Sequence, residues 1–299
     1  MFDIVILTES RYVNPKKKDW YIDQVLLEDK ILQDTLEAKG LEVCKKDWAD
    51  VEFDWSSSKF AIFRTTWDYF DRFNEFFRWI EDTKDKITFI NCIDTIHWNI
   101  DKHYLKDLSQ NRINITPTLF IENNTDITLE ELFNKTSWKE VVIKPAISGS
   151  ARHTYRMNSS NYPKYSKIFQ NLIKEESILF QEFMTSITVI GEISLIMIGG
   201  KYTHAVRKIA KTGDFRVQDD HGGTVQEHKA TKEEILFAEE CINNCPSPPI
   251  YARVDIVYDN NSNPALIELE LIEPELWFRK KPESAMHLAE EIFNLISSK

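Results

Sequence analysis

The chain has 299 residues, 42% of them apolar and 12% aromatic, a composition typical of a globular protein with one or two buried cores. Its 37 basic and 48 acidic residues give a net charge of −11, which disfavours a nucleic-acid or membrane-surface partner held by overall charge. No apolar run has the length of a membrane span, no secretory signal is evident, and the four cysteines are scattered. We therefore expect a cytoplasmic protein without nucleic-acid or membrane partners.

Residues 1–93 alternate short apolar runs with helical patterns, which predicts a small parallel sheet of Rossmann-like topology within an α/β fold. Neither a dinucleotide-binding glycine fingerprint nor a Walker P-loop is present. The predicted strands are residues 4–7, a strand beginning at 41, 60–63 and 87–90, and the predicted helices are residues 20–39, ended by Gly40, and a helix from 73.

Two further units are predicted, at residues 94–183 and 184–299. The first contains helices near 101–108, 129–133 and 166–173 and strands at 141–144 and 178–183. The second is rich in strands, at 192–198, 202–208, 251–258 and 265–271, with helices at 232–241 and 282–296. We expect three consecutive units along the chain.

The most informative segment is a predicted hairpin around residues 259–264, whose asparagine, serine and proline residues are typical of a loop. Symmetric pairing about this loop places Asp255 opposite Glu268 and Arg253 opposite Glu270, all on one face. The opposite face, predicted to be buried, carries Val254, Ile256, Ile267 and Leu269. Three converging carboxylates repel unless a cation neutralises them, and oxygen ligands suit Mg²⁺ or Mn²⁺. The alternative is a solvated salt-bridge ladder built on Arg253.

Two other features suggest anion binding. Lys144 ends an apolar strand beside the small-residue loop 148–151, whose backbone N–H groups can surround a phosphate. Arg216 precedes Gly222 and Gly223, which allow close approach of the backbone to a ligand. The alternatives are a lysine that extends to solvent and an ordinary mobile loop.

Seven motifs in order resemble the ATP-grasp superfamily, in particular its glutathione synthetase and ribosomal-protein glutamate ligase branch. They are Lys102, Val-Ile-Lys-Pro at 142–145, Ser-Gly-Ser at 148–150, Phe-Gln-Glu-Phe at 180–183, Gly-Asp-Phe-Arg at 213–216 with Gly222 and Gly223, Arg253-x-Asp255, and Glu268-x-Glu270 followed by Pro274. The resemblance covers residues 94–275 and implies an ATP-grasp fold preceded by the small Rossmann-like domain. Patterns at 66–69, 98–105, 204–208 and 215–218 resemble the cyclo-ligase subfamily that closes the cycloserine ring.

The resemblance implies a role for each matching residue. Asp255, Glu268 and Glu270 match metal ligands, although Glu270 stands where relatives commonly have Asn, and Gln218 likewise replaces a frequent Asn. Arg216 and Arg253 match catalytic positions that stabilise the acyl phosphate or tetrahedral intermediate. The implied ATP-binding residues are Lys102, Lys144, Ser148, Gly149, Ser150, Gln181, Glu182, Phe183 and Glu192, with residues 181–183 forming the strand that reads adenine and Glu192 holding the ribose.

The implied reaction is ATP-dependent ligation of a carboxylate to an amine through an acyl phosphate, on an amino-acid-like or small peptide substrate, with ring closure within one molecule left open. Substrate contacts are expected from Arg64, Trp67, Asp68, Arg207, Gly222 and Gly223, the first three because open α/β sheets bind ligands at their carboxyl strand ends. Packing between domains is the alternative for Trp67 and Tyr69. A non-catalytic or regulatory ATP-binding protein is the alternative function, and the oligomeric state, a homo-oligomer included, stays open.

Overall fold

The computed structural model describes residues 1–217 and 222–298. Gln218 and His221, the latter beside the predicted glycine pair, lie outside the described residues. The described chain forms three β-sheets with helices packed against them, which confirms the predicted mixed α/β class. No helix in these parts of the chain combines the length and apolar character needed to cross a membrane.

The N-terminal sheet is parallel, as predicted. Its strands are β1 (Phe2–Thr8), β2 (Val43–Asp47), β3 (Ser58–Thr65) and β4 (Thr88–Ile90), in the order β2-β1-β3-β4, and its helices are α1 (Trp20–Ala38) and α2 (Phe73–Thr83). Asp19 caps α1 by accepting the Ile22 N–H at 2.8 Å, and Gly40, with a φ of +82°, follows its C-terminus. The strand order reverses between β1 and β3, so a crevice opens at their carboxyl ends.

The middle sheet is antiparallel. Helices α3 (Ile93–Asn99) and α4 (Tyr104–Gln110) lead into it, and its strands β5 (Thr118–Ile121), β6 (Glu140–Pro145), β7 (Tyr155–Asn158) and β8 (Ile178–Glu182) lie in the order β5-β8-β6-β7. Helices α5 (Leu129–Lys135) and α6 (Ser166–Glu175) cover one face, where Leu132 and Phe169 are fully buried. The short strands β5 and β7 were not predicted, because each has only four residues, the lower limit for recognising a strand pattern.

The C-terminal sheet has five strands in the order β11-β10-β9-β12-β13. They are β9 (Glu192–Ile198), β10 (Lys201–Ile209), β11 (Thr224–His228), β12 (Tyr251–Tyr258) and β13 (Pro264–Glu270), accompanied by helices α7 (Ser186–Val189), α8 (Lys232–Asn243) and α9 (Glu283–Ser297). Thr231 and Glu234 form a capping box at the start of α8. This sheet carries the predicted hairpin.

The hairpin register is confirmed where the predicted site lies and differs nearer the loop. Arg253 pairs with Glu270 and Asp255 with Glu268, but a bulge after Asp255 makes Ile256 pair with Leu266. Ile267 was predicted on the buried face and instead lines the cleft described below. Leu266 takes its place in the core.

Asparagine side chains fasten the N-terminal part of the chain to the C-terminal sheet. The Asn91 amide donates to the backbone oxygens of Tyr251 and Leu271 at 2.9 and 2.8 Å. The Asn99 amide donates to the Leu269 oxygen and accepts the Leu271 N–H, both at 2.8 Å. The open end of the β12–β13 hairpin, opposite its loop, is therefore held in place.

Helix α9 packs against helix α1 as well as against strand β9 of the C-terminal sheet. Leu288 and Ile292 of α9 share one core with Ile4 of β1 and Leu32 of α1. Each predicted unit contains one of the three sheets, whereas this core joins the first and the last of them. The boundaries near residues 93 and 183 stay a prediction.

Candidate active site

One cleft, between the C-terminal sheet, the middle sheet and the loop after β3, brings together most of the predicted site residues. Those that line it are Trp67, Lys102, Lys144, Ser148, Gly149, Ser150, Gln181, Glu182, Phe183, Glu192, Arg216, Arg253, Asp255, Glu268 and Glu270. The structure does not bring Arg64, Asp68, Arg207, Gly222 or Gly223 to its lining.

The acidic side chains of the hairpin form a cluster able to hold a metal ion. Asp255, Glu268 and Glu270 each offer a carboxylate oxygen, and these atoms lie within 4.8 Å of one another. Oxygen ligands on two adjacent strands suit a hard divalent cation such as Mg²⁺. The residues present therefore fit a metal of the predicted kind.

Two cations already hold Asp255 in its ionised form. Arg253 donates from Nε and Nη2 to its carboxylate at 2.8–3.0 Å, and the Lys208 Nζ lies 3.4 Å away. Burial alone would raise the pKa of Asp255, but the charges of Arg253 and Lys208 outweigh it and lower the pKa below its ordinary value. Ser194 adds a hydroxyl hydrogen bond to the same carboxylate.

The two glutamates of β13 differ in their electrostatic surroundings. Glu268 lies 3.1 Å from Lys102, and although burial favours the neutral acid, Lys102 and Lys144 lower its pKa. Burial raises the pKa of Glu270 to about 8, because Arg253, which donates to it, offsets the desolvation only in part and Glu268 adds repulsion. A divalent cation would supply the missing positive charge here.

Lys144 is a buried cation that faces the cleft. It is 9% exposed, and its ammonium group has no hydrogen bond or ion pair to another described residue. Desolvation lowers its pKa, with Glu268 acting in the opposite direction. A buried ammonium group left without an anion in the protein fits a phosphate or carboxylate ligand.

The small-residue loop after β6 packs on the N-terminal part of the chain. A side-chain carbon added at Gly149 would lie 2.6 Å from the ring of Phe70, so only glycine fits without movement. The Arg152 guanidinium next to this loop lies 3.3 Å from Asp71 and also pairs with Glu176. The loop is thereby held above the cleft, with φ positive at Ser150 and Ala151.

The end of β8 forms another wall of the cleft. Gln181 is buried and donates to the Thr118 hydroxyl at 2.9 Å, while the Glu182 carboxylate accepts from the Asn260 amide. The backbone N–H groups of Glu182 and Phe183 donate to the Pro117 and Glu140 oxygens. These two N–H groups are therefore unavailable to an adenine base. Any backbone contact between this strand and adenine must use other backbone groups of residues 181–183.

Sequence reasoning missed Lys208, which lines the cleft opposite Glu192. The two residues pair across the β9–β10 hairpin, and the Lys208 ammonium contacts both the Glu192 and the Asp255 carboxylates. Glu192 therefore already has a cationic partner at the position predicted to hold a ribose. The sequence contained a signal for this pair, because Glu192 and Lys208 are separated by nearly equal numbers of residues from the turn glycines Gly199 and Gly200.

Arg216 lies on the cleft wall together with Phe215. Its guanidinium pairs with Asp214, with Nη2 to Oδ2 at 2.7 Å, and its backbone N–H donates to the same carboxylate. Asp214 thus fixes the direction of Arg216, whose assignment as a catalytic residue stays a prediction.

Two of the predicted substrate residues, Arg64 and Asp68, do not line the cleft, because their side chains bind other groups of the protein. Arg64 is 1% exposed and donates to the Pro274 oxygen at 3.0 Å, and its guanidinium lies over the Phe278 ring. Asp68 accepts from the Trp48 indole and pairs with Arg72, both at 2.7 Å. Trp67 alone among these strand-end residues reaches the cleft.

The other predicted substrate residues lie near β10 and β11. Arg207 neighbours Lys208 on a strand, so the two side chains point to opposite faces, and Arg207 approaches Gln226 of β11 instead of the cleft. Gly222 has a φ of +81° and lies near Lys211, and Gly223 follows it. Neither glycine lines the cleft.

The irregular segment after β13 was also missed, and it supplies Glu273, Glu275 and Trp277 to the cleft. Burial raises the pKa of Glu273 to about 7, with Lys102 lowering it in part. The Trp277 ring lies 5.3 Å from the Arg253 guanidinium and 5.7 Å from the Lys208 ammonium. No periodic pattern marks this segment in the sequence.

Comparison with known proteins identifies the family. The model for the ATP-grasp domain of prokaryotic glutathione synthetases matches residues 105–260, slightly more than half of the chain. The chain belongs to this ATP-grasp family. The model for the N-terminal domain of D-cycloserine synthetase DcsG matches residues 4–91 of the ATP-grasp protein. Both matches agree with the family resemblance stated from the motifs.

Individual relatives give the same result. This ATP-grasp chain is 26% identical to the cycloserine biosynthesis protein DcsG of Streptomyces lavendulae over 265 residues, which cover 84% of this chain and 87% of that protein. The crystal structure of D-cycloserine synthetase DcsG superposes with a TM-score of 0.87 at 21% identity, covering 98% and 99% of the two chains. The D-alanine–D-alanine ligase from Bacillus anthracis superposes with a TM-score of 0.70 at 14% identity, covering 100% and 98%. The protein is an ATP-dependent ligase with an ATP-grasp fold.

Proposed function

We propose that this ATP-grasp ligase joins a carboxylate to an amine on an amino-acid-like or small peptide substrate, using Mg²⁺ or Mn²⁺ with ATP, and that it closes a ring within one substrate molecule. The carboxylate cluster of Asp255, Glu268 and Glu270 beside the unpaired Lys144 carries this proposal. The similarity to a cycloserine biosynthesis protein along both the N-terminal and the ATP-grasp parts supports ring closure.

ATP supplies the phosphoryl group that converts the unreactive substrate carboxylate into an acyl phosphate. The three hairpin carboxylates would hold the divalent cation, and Lys102 and Lys144 would contact phosphate oxygens. Both lysines are buried beside Glu268, where a low local dielectric strengthens their attraction for anions. Positioning and charge compensation, without a nucleophilic side chain, account for this chemistry.

Arg253 is the residue we assign to the developing oxyanion. It is 8% exposed, and its neighbours Asp255 and Glu270 raise its pKa even though burial opposes the charged form. Its guanidinium therefore stays charged and fixed between the two metal ligands. We assign the other predicted arginine, Arg216, to the transferred phosphoryl group.

The wall of the cleft formed by residues 148–151 would exclude water from the acyl phosphate. The four cysteines are unpaired, and we place the protein in the cytoplasm, where the cysteines stay reduced and ATP is abundant. The oligomeric state, a homo-oligomer included, stays open.

ADP release tests the proposed function. The purified protein is mixed with MgATP and a panel of amino acids and O-substituted serines, alone and with hydroxylamine as an external amine. We expect ADP release that depends on one carboxylate substrate, with the product lighter than the substrate by one water if a ring closes. ATP binding without ADP release for every carboxylate would instead favour a regulatory ATP-binding protein.

A further inference from the structure

Glu273 differs from the other acidic residues of the cleft. Glu192, Asp255, Glu268, Glu270 and Glu275 each form an ion pair with a lysine or arginine, and Glu182 at the rim accepts an amide hydrogen bond from Asn260. Within residues 1–217 and 222–298, no basic side chain forms an ion pair with Glu273. A cleft carboxylate in this position is available to a positively charged ligand group.

The backbone around Glu273 is held rigidly by the loop after β3. The Trp67 indole donates to the backbone carbonyl oxygen of Glu273, and the Arg64 guanidinium donates to that of Pro274, both at 3.0 Å. The buried Tyr69 hydroxyl interacts with the Glu273 carboxylate. A carboxylate fixed in this way pays little conformational entropy when it binds a ligand.

Aromatic rings line the same cleft as Glu273. Trp67 and Trp277 both line it, and Trp67 is itself supported by an edge contact with Tyr12. Indole faces attract organic cations through their quadrupole. The metal-ligand cluster in the described residues does not include Glu273, so an ammonium group suits this position better than a divalent ion, which takes several oxygen ligands.

Trp277 gives an independent indication of a ligand. Its indole N–H is buried and has no hydrogen-bond partner in the described chain, although it belongs to a residue that lines the cleft. A buried donor without a partner is costly and is satisfied when a ligand brings an acceptor oxygen. The ligand would thus present an acceptor to Trp277 and a positive donor to Glu273.

We infer that Glu273 binds the ammonium group of a zwitterionic substrate, an α-amino acid whose carboxylate lies beside Arg253 and Lys102, and that Trp277 donates to an oxygen of the same molecule. This inference rests on the proposed ligase function and adds the residue that selects an amino-acid substrate. Glu273 is then a specificity residue that distinguishes amino acids from carboxylic acids lacking the amine.

Equilibrium binding tests the inference without any turnover. The probes are D- and L-O-methylserine and 3-methoxypropanoate, which lacks only the ammonium group, each titrated by calorimetry into the full protein with MgADP present. We expect one enantiomer of the amino acid to bind at least 10-fold more tightly than 3-methoxypropanoate. Equal affinity, or no binding of either enantiomer, would overturn the inference.

Variants locate the selectivity. In Glu273→Gln we expect the amino acid to lose 10- to 100-fold in affinity and 3-methoxypropanoate to change less than 3-fold, so the preference disappears. Tyr69→Phe should weaken it partly, which keeps the test usable if Glu273→Gln fails to fold. Glu283→Gln, an exposed glutamate at the start of α9, is the matched control and should keep the full preference.

Kinetic measurements separate this inference from the proposed function. Loss of ADP release with every carboxylate in the wild-type protein, together with a retained preference for the amino acid, would reject the ligase proposal alone. ADP release that is equally fast with amino acids and their deaminated analogues would reject the ammonium site alone. A rise in KM for the amino acid in Glu273→Gln, with the KM for ATP unchanged, is the outcome we expect.

Discussion

The N-terminal sheet and the C-terminal sheet both carry charged residues near their strand ends, but they use them differently. In the N-terminal part, Arg64 and Asp68 are bound by other groups of the protein and lie away from the cleft. In the C-terminal sheet, Glu268 and Glu270 gather on one face, and the positive charge near Glu270 does not offset the burial of its carboxylate. The comparison teaches that an uncompensated charge facing a cleft, rather than a position at a strand end, marks the site.

The largest expected effect tests the C-terminal sheet. Glu268→Gln keeps the shape of the side chain and removes a metal ligand, so we expect ADP release to fall about 10³-fold, or ~4 kcal/mol in activation free energy. The thermal midpoint should stay within a few degrees. Glu227→Gln, on the exposed face of β11 in the same sheet, is the control and should keep full activity; survival of activity in Glu268→Gln would show that the hairpin is not the metal site.

A pH experiment tests the N-terminal side. Burial, with repulsion from Glu275, raises the pKa of Glu28 on α1 from 4.5 to about 7. The folded protein then holds a proton that the unfolded chain releases above pH 4.5, so the contribution of Glu28 to stability falls as pH rises through 7. At 1.36 kcal/mol for each pKa unit, this amounts to about 3 kcal/mol.

Glu28→Gln should remove that dependence. Relative to wild type, we expect its free energy of unfolding in urea to improve by up to about 3 kcal/mol between pH 5 and pH 8, with ADP release unchanged in the folded protein. A parallel pH dependence in the two proteins would contradict the structural role assigned to this carboxyl group.

Lys144→Met sharpens the comparison because it should change ATP binding without changing the stability of the fold. Removing the unpaired ammonium group should raise the KM for ATP by about 30-fold, equivalent to ~2 kcal/mol of a charge-assisted contact. The thermal midpoint should not fall, since no ion pair is lost. Lys139→Met, an exposed lysine just before β6, is the control; an unchanged KM for ATP in Lys144→Met would place the phosphates elsewhere.

Gly149→Ala tests the contact between the cleft loop and the N-terminal part. The new methyl group would clash with the Phe70 ring, displacing the loop and raising the KM for ATP about 10-fold, or ~1.4 kcal/mol. The double variant Gly149→Ala with Phe70→Leu should recover most of this loss. Failure of the second substitution to restore ATP binding would mean that the glycine matters for another reason.

The smallest effect is expected from Asp68→Asn. The side-chain oxygen can still accept from Trp48, so only the partly exposed pair with Arg72 is lost, at a cost below about 1 kcal/mol in urea unfolding. The KM values for carboxylate and amine substrates should not change. An increase in either KM would return Asp68 to the set of substrate residues and weaken the comparison.

The sequence predicts the metal cluster because two simple rules combine there. Side chains alternate along strands, and a polar loop fixes the centre of a hairpin, so the pairing of Asp255 with Glu268 follows without tertiary information. The bulge beyond Asp255 does not follow, since an extra residue leaves no mark in the alternation. Ile267 was therefore placed on the wrong face.

Cleft residues in segments without regular secondary structure were not predicted, for a related reason. Glu273 and Trp277 belong to a segment with neither helical nor strand periodicity, so only the folded chain shows what they face. Arg64 and Asp68 were placed at the site by a general rule about strand ends, but their hydrogen-bond partners come from residues 48, 72 and 274. Such distant partners cannot be read from spacing.

The packing of α9 on α1 has a consequence for how the molecule is made. Strand β1 and helix α1 complete their core only when residues of α9, more than about 245 positions later in the chain, are present. Contacts between such distant segments slow folding, because a long loop must close before they form. During synthesis, part of the apolar surface of the first sheet therefore stays exposed until the last helix has been made. Cutting the chain near residue 93 would leave both pieces with exposed apolar surface.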